Sequence, residues 1–338
     1  MIYRQMIVAA LDGCRDEFVR FREQVTASYS LYADALRQVE RGGLDRLVES
    51  LAGIDSPGAR PTEEFRASSS FVIEFGHSWQ NHEEAREWAY ETLLGRTTFA
   101  ADGSQILPSK DFSVPVAAIQ VGWFENPHLP DGRYVKDARF TVLSPADIIS
   151  GAGGDTEFSE SMVHRRRYEM EVTAIRDYML AASARGIDEA RPPVVFFDSL
   201  LAISFAQMME EELRKHYVEG IKSLLETSQK TGIPVIGYVD KSAARDLVNM
   251  LKEANRLQDA PAINDAALIE PRLGWGARTP LFVCARRGIL DFYGEQWDRS
   301  IGFIYLKTAA DAPPSRLDVP MWVYEKGLLD YVVETVRG

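Results

Sequence analysis

Two carboxylates stand out in this 338-residue chain, because each sits where an apolar run stops. Asp102 follows Phe99-Ala100-Ala101 and precedes Gly103-Ser104; Asp198 follows Val194-Val195-Phe196-Phe197. A lone charge against apolar strands is costly, so each Asp calls for a partner. An Asp at a strand tip is held rigidly where the sheet meets solvent, and two such carboxylates on neighbouring strands can share a divalent cation. Hard oxygen donors select Mg²⁺ or Mn²⁺ over zinc. Two such ions can stabilise both the attacking and the leaving oxygen of a phosphoryl transfer. Each Asp also has a plainer reading. Asp102 can close a turn through its own side chain, and Asp198 can cap the helix that follows. The pair is stronger evidence than either member.

A third carboxylate is expected from the helix that begins near Glu160, where Glu169 and Glu171 are the candidates. Residues two apart face different sides of a helix, so only one of them can join the site and the other is a solvated residue. His164-Arg165-Arg166-Arg167 opens the same helix, and Lys241 follows a predicted strand over Ile233–Val239. Arg167 and Lys241 are the candidates for holding a scissile phosphate. Ser104 is a further candidate for substrate contact. The glycine at 103 permits close backbone approach.

These side chains need a sheet and its covering helices. Thr98–Ile106, Val114–Phe124 and Tyr134–Leu143 read as strands, the last two closed by a loop over Pro127–Gly132 into an antiparallel hairpin. A helix over Glu160–Ala184 is predicted to show an apolar face of Met162, Tyr168, Val172, Ile175 and Met179. Strand Val194–Phe197, a helix through Leu213, Ile221 and Leu225, and strand Ile233–Val239 follow, with Ser242–Leu251 helical again. Three antiparallel strands and then alternating helix and parallel strand predict an α/β, RNase H-like mixed sheet. Residues 1–50 read as helical, with apolar Phe18, Phe21, Val25 and Tyr29 at helical spacing and a break at Gly42-Gly43. Their stripes read as core or dimer contacts. Residues 56–62 read as a loop and 150–155 as a Gly-rich stretch. Towards the end, Leu281–Ala285 and Ile301–Leu306 are predicted strands, Leu317–Val323 an extended piece and Tyr324–Val336 a closing helix. The organisation expected is a mainly helical region over 1–95 and an RNase H-like domain over 96–338, with an insertion near 255–280.

Composition bounds the function. With 38 Lys and Arg against 50 Asp and Glu the net charge is −12, which argues against a protein that coats DNA by bulk charge. A local basic channel is compatible with it. No apolar run is long enough for a membrane span, and no signal-peptide pattern opens the chain, so a cytoplasmic protein is expected. Cys14 and Cys284 lie far apart, without metal-ligand spacing, and read as buried apolar residues in a reducing compartment. The five histidines show no zinc spacing.

Three stretches together resemble the NurA family of DNA-repair nucleases: Ala101-Asp102-Gly103-Ser104-Gln105, Val195-Phe196-Phe197-Asp198-Ser199-Leu200, and Pro234 through Ser242 (PVIGYVDKS). Ile304-Tyr305-Leu306 and Arg316-Leu317-Asp318-Val319-Pro320 look like the end of bacterial members. The resemblance implies an RNase H-like fold and a Mn²⁺-dependent (or Mg²⁺-dependent) nuclease. It implies 5′-to-3′ exonuclease activity on single- and double-stranded DNA and endonuclease activity on single strands. It also implies a homodimer working with HerA, a hexameric ATP-driven translocase, in end resection for double-strand-break repair. Carried over by motif, Asp102 and Asp198 are metal ligands. An Arg four residues ahead of the helical Glu in many members selects Glu171 over Glu169. Two departures exist. Asp198 is followed by Ser199 with no glycine, and the last histidine is His216, where many members have a Tyr and a His near the C-terminus. Asp318, Tyr324 or Asp330 is left to supply a fourth ligand. The alternative function is a catalytically degenerate scaffold that docks on a translocase.

Overall fold

The structure is a computed structural model that describes residues 3–109, 111, 113–149, 160–257 and 263–338. The Gly-rich stretch at 150–155 lies outside the described residues. In chain order the elements are α1 (Arg4–Gly13), α2 (Arg15–Ser50), β1 (Gly58–Pro61), α3 (Glu63–Ser68), α4 (His82–Leu93), β2 (Thr98–Ile106), β3 (Ala117–Asn126) and β4 (Val135–Leu143). Then come α5 (Pro145–Ile148), α6 (Glu160–Arg185), β5 (Val194–Phe197), a 3₁₀ turn (Ser204–Met208), α7 (Glu211–Thr231), β6 (Val235–Val239) and α8 (Asp246–Asn255). The chain closes with α9 (Asp265–Ile269), β7 (Phe282–Ala285), β8 (Ile301–Leu306), β9 (Ser315–Pro320), α10 (Met321–Glu325) and α11 (Leu329–Arg337). Among the described residues no helix is long and apolar enough to cross a membrane.

The chain divides into two compact units. One comprises 1–75, 240–286 and 305–315; the other comprises 76–239, 287–304 and 316–338.

The second unit carries the mixed sheet, with strands in the order β8-β9-β6-β5-β2-β3-β4. β2, β3 and β4 are antiparallel, β5 joins β2 in parallel and β6 joins β5 in parallel. This is the RNase H-like order predicted from the chain. β9 extends it antiparallel to β6, setting Asp318 opposite Gly237. Strand alternation selects the buried face of β2: Phe99 and Ala101 are buried while Ala100, Asp102 and Ser104 are exposed. Phe99 stacks on Tyr178 of α6, with centroids 3.9 Å apart and planes 8° from parallel. Ala117, Ile119, Leu143, Ile148 and Val163 form the core at the other end of α6. β4 is exposed almost throughout, as an edge strand with little packed on it. The closing helix is split. Gly327 takes a φ of 73° between α10 and α11, a conformation that costs glycine little.

In the first unit β1 pairs antiparallel with β7 where the sequence predicts only a loop. Four residues are too few to show alternation, and Gly58 and Pro61 read as turn residues. Gly43 is non-helical within α2, so the predicted break is a kink in a helix that continues to Ser50. Among the described residues none before Ser28 is buried; Phe18 and Phe21 are 56% and 65% exposed, so this stripe is not core within the chain. Cys14 is exposed as well, contrary to expectation, because it lies in the same exposed segment; Cys284 is buried. Buried ion pairs of this unit include Arg278 with Glu64 at 2.6 Å and Arg286 with Asp246.

Candidate metal centre

Asp102 is the fifth of the nine residues of β2, opposite Gly122, rather than at a strand tip. It reaches solvent by alternation, not by ending the strand. Asp198 does follow the last residue of β5 and is exposed. The parallel register pairs Ala100 with Phe196, and carried on by two residues it sets Asp102 level with Asp198. Glu171 comes from α6, with its side chain 15% exposed. All three line one cavity of about 430 Å³.

Close approach of α6 to β2 depends on Gly103. A Cβ there would run into Glu171 Oε1 and lie 2.6 Å from Arg167 Cγ. Arg167 stands one turn before Glu171; its Nε is 3.4 Å from Glu171 Oε1, and its Nη1 donates to Gly103 O at 3.4 Å. Burial pushes the Glu171 carboxyl up from 4.5 to about 7; Arg167 and the Gly103 backbone oppose the rise, and the charges of Asp102 and Asp198 add to it. The cavity wall sets three carboxylates against Arg167 and His164.

Glu169 points elsewhere. It binds Arg166 at 2.8 Å and Arg165 at 3.4 Å, lies 3.3 Å from His216 Nε2, and is absent from the cavity lining. The remaining expected residues are dispersed. Ser104 lies two residues past Asp102 on the exposed side of β2 and does not line the cavity. Lys241 is an exposed residue of the first unit.

Asp318 is not a ligand of this cavity. It is fully buried in β9, accepts from Arg316 Nε at 2.7 Å, and takes the amides of Leu201 and Ala202 at 2.9 and 3.2 Å. Both oxygens are committed, which is the condition for burying a carboxylate. Tyr324 and Asp330 do not line the cavity either.

His164, Tyr168, Phe205 and Tyr217 are cavity residues that the sequence argument did not assign to the site. A signal existed for two of them. His164, Arg167, Tyr168 and Glu171 stand at i, i+3, i+4 and i+7, one helical face. His164 Nδ1 is 2.9 Å from Gln105 Nε2 of β2. Phe205 carried no such signal, since it lies on the 3₁₀ turn.

Asp102, Asp198 and Glu171 could hold a hard divalent cation. The donors are all carboxylates, and the three share the lining of one cavity. As the side chains stand, no three His, Cys, Asp or Glu among the described residues form a closed ligand group. The fit is one of donor chemistry and placement, not of a preformed shell.

No curated protein sequence matches the chain. Among solved structures it is similar to a crystal structure of NurA with manganese, at TM-score 0.37 and 9% identity, over 71% of this chain and 81% of that one. A NurA bound to dAMP and manganese gives TM-score 0.34 and 11% identity over 71% and 80%. Endonuclease V of Ciona intestinalis in complex with DNA gives 0.26 and 8% over 75% and 86%. The NurA domain model matches residues 96–337, a span that takes in every carboxylate of the cavity, and by that match the chain belongs to the NurA family.

Proposed function

We propose that this protein is a divalent-metal-dependent DNA nuclease. The observation that carries the reading is the convergence of Asp102, Asp198 and Glu171, from three separate elements, on one cavity beside Arg167. These three carboxylates would hold Mn²⁺ or Mg²⁺. When bound, the metal would supply Lewis-acid activation of water and charge neutralisation at the phosphodiester. The chain's own residues do the rest. Arg167 meets phosphate charge and keeps Glu171 oriented, Gly103 lets Glu171 sit against β2, and Asp102 and Asp198 bracket the reacting group from adjacent strands. His164, held by Gln105, is placed to exchange a proton at the cavity wall.

Family membership supports the finer expectations: 5′-to-3′ exonuclease and single-strand endonuclease activity, a homodimer, and work with a HerA-type translocase in end resection. A translocase that feeds DNA would also reconcile the role with a net charge of −12.

The test is cleavage of end-labelled single- and double-stranded DNA with Mn²⁺, Mg²⁺ or chelator, alone and with the ATPase. Metal-dependent cleavage is expected, and no cleavage under any of these conditions would refute the reading. The open spacing of the carboxylates favours a second reading, a silent scaffold. Calorimetric titration with Mn²⁺ separates the two, since a scaffold shows no binding that Asp102→Asn removes.

A further inference from the structure

We propose that Phe205 forms a stacking subsite for one unpaired base of single-stranded DNA, next to the carboxylates. The inference rests on the nuclease reading and names the form of substrate the site accepts. The cavity has two chemistries in its wall. Asp102, Asp198, Glu171 and Arg167 suit a phosphodiester and its metal; Phe205, Met209 and Leu213 offer nothing to a phosphate. A nucleotide has both parts, and its base offers a π-face to an aromatic ring whatever its identity.

Phe205 is 50% exposed, which alone would be unremarkable for one apolar residue. Its setting is not. It lies seven residues after Asp198, in the same cavity, on a turn whose neighbours Leu201, Ala202, Ile203 and Ala206 are fully buried. Two amides of that segment bind Asp318, and the Tyr293 hydroxyl donates to Leu201 O at 2.6 Å. The Phe205 ring is set at 84° to Tyr217, with centroids 5.4 Å apart. The backbone is thus fixed while the ring meets solvent, as a preorganised contact requires. Bases inside a duplex are covered on both faces by their stacked neighbours and offer no free face to a side chain. Duplex ends must therefore fray, or be unwound by a partner, before this subsite is filled.

The experiment uses the full chain and two short single-stranded oligonucleotides, one carrying 2-aminopurine throughout and one abasic throughout. Binding is followed with Ca²⁺ and cleavage with Mn²⁺. Stacking is expected to quench 2-aminopurine fluorescence on the wild type and on Phe205→Trp. Phe205→Ala and the bulkier Phe205→Leu are expected to weaken binding and lower kcat/KM on the base-bearing strand about tenfold, leaving the abasic strand unchanged. A purely structural role would weaken both strands alike. If the wild type cleaves but the Phe205 variants treat the two strands equally, the stacking subsite is wrong and the nuclease reading stands. If the Phe205-dependent base preference persists without cleavage, the nuclease reading fails and the subsite stands. No binding of either strand overturns both.

Discussion

Asp318 of β9 and the trio of Asp102 from β2, Asp198 beyond β5 and Glu171 from α6 are carboxylates with opposite surroundings. Asp318 is wholly buried and fully answered: a guanidinium on one oxygen, two amides on the other, and Arg316 itself lies 4.0 Å over the Phe303 ring. The trio is partly exposed and faces Arg167 in the cavity wall; burial lifts Glu171 to about 7, with the two Asp charges adding to the rise and Arg167 opposing it. Burial alone therefore does not mark a functional acid. The mark is the convergence of acids from separate elements on one cavity, where something outside the chain can join them. Asp318 serves the site from behind: it ties down the segment that links Asp198 to Phe205.

The contrast can be broken by substitution. Asp318→Ala leaves Arg316 buried without its counter-charge, and chemical denaturation should show a loss of about 3–5 kcal/mol. Asp102→Asn or Asp198→Asn should do the reverse, with the fold retained and metal-dependent cleavage reduced more than about a hundredfold in a gel assay.

Glu171→Gln probes pH. A raised carboxyl pKa favours the folded protein fully below about pH 4.5 and loses that benefit as pH climbs through about 7. In chelator the wild type should lose up to about 3 kcal/mol across that window. The Gln variant should lack this component and be the more stable protein at pH 8. A pH-independent difference between the two would remove the electrostatic account. Gly103→Ala forces Glu171 and Arg167 aside; about 1–3 kcal/mol of destabilisation and roughly tenfold weaker Mn²⁺ binding by calorimetry are expected. Glu169→Gln, the control on the opposite helix face, should change stability by less than about 1 kcal/mol and cleavage by less than twofold.

Elements with strong local pattern were legible. β2 and β5 have the predicted bounds and α6 differs by one residue, since alternation and a 3.6-residue stripe are local signals. The choice of Glu171 over Glu169 rested on the Arg167 spacing that the family resemblance supplied, but Arg165 stands at the same spacing before Glu169, so it is the cavity lining and not the spacing that separates the two. Asp318 was misassigned for a physical reason. Its partners Leu201 and Ala202 are more than 110 residues away, and an Asp beside apolar residues reads the same whether it faces a cation or a ring of amides. β1 was missed because its partner β7 lies over 200 residues on. Phe205 escaped because a 3₁₀ turn imposes no period that a sequence can display.

Gly237 has a bearing on how the protein comes together. A Cβ there would lie 2.5 Å from Ser199 O and 3.0 Å from Leu201 N, so the turn beyond Asp198 rests directly on the backbone of β6. The same residue pairs with Asp318 across β9. The turn's seat is thus built from three remote stretches, and contacts of such separation close late. A partly folded chain with β2 and β5 already paired would carry its acids but not their setting. The full lining of the cavity would then arrive only with the last strands to dock.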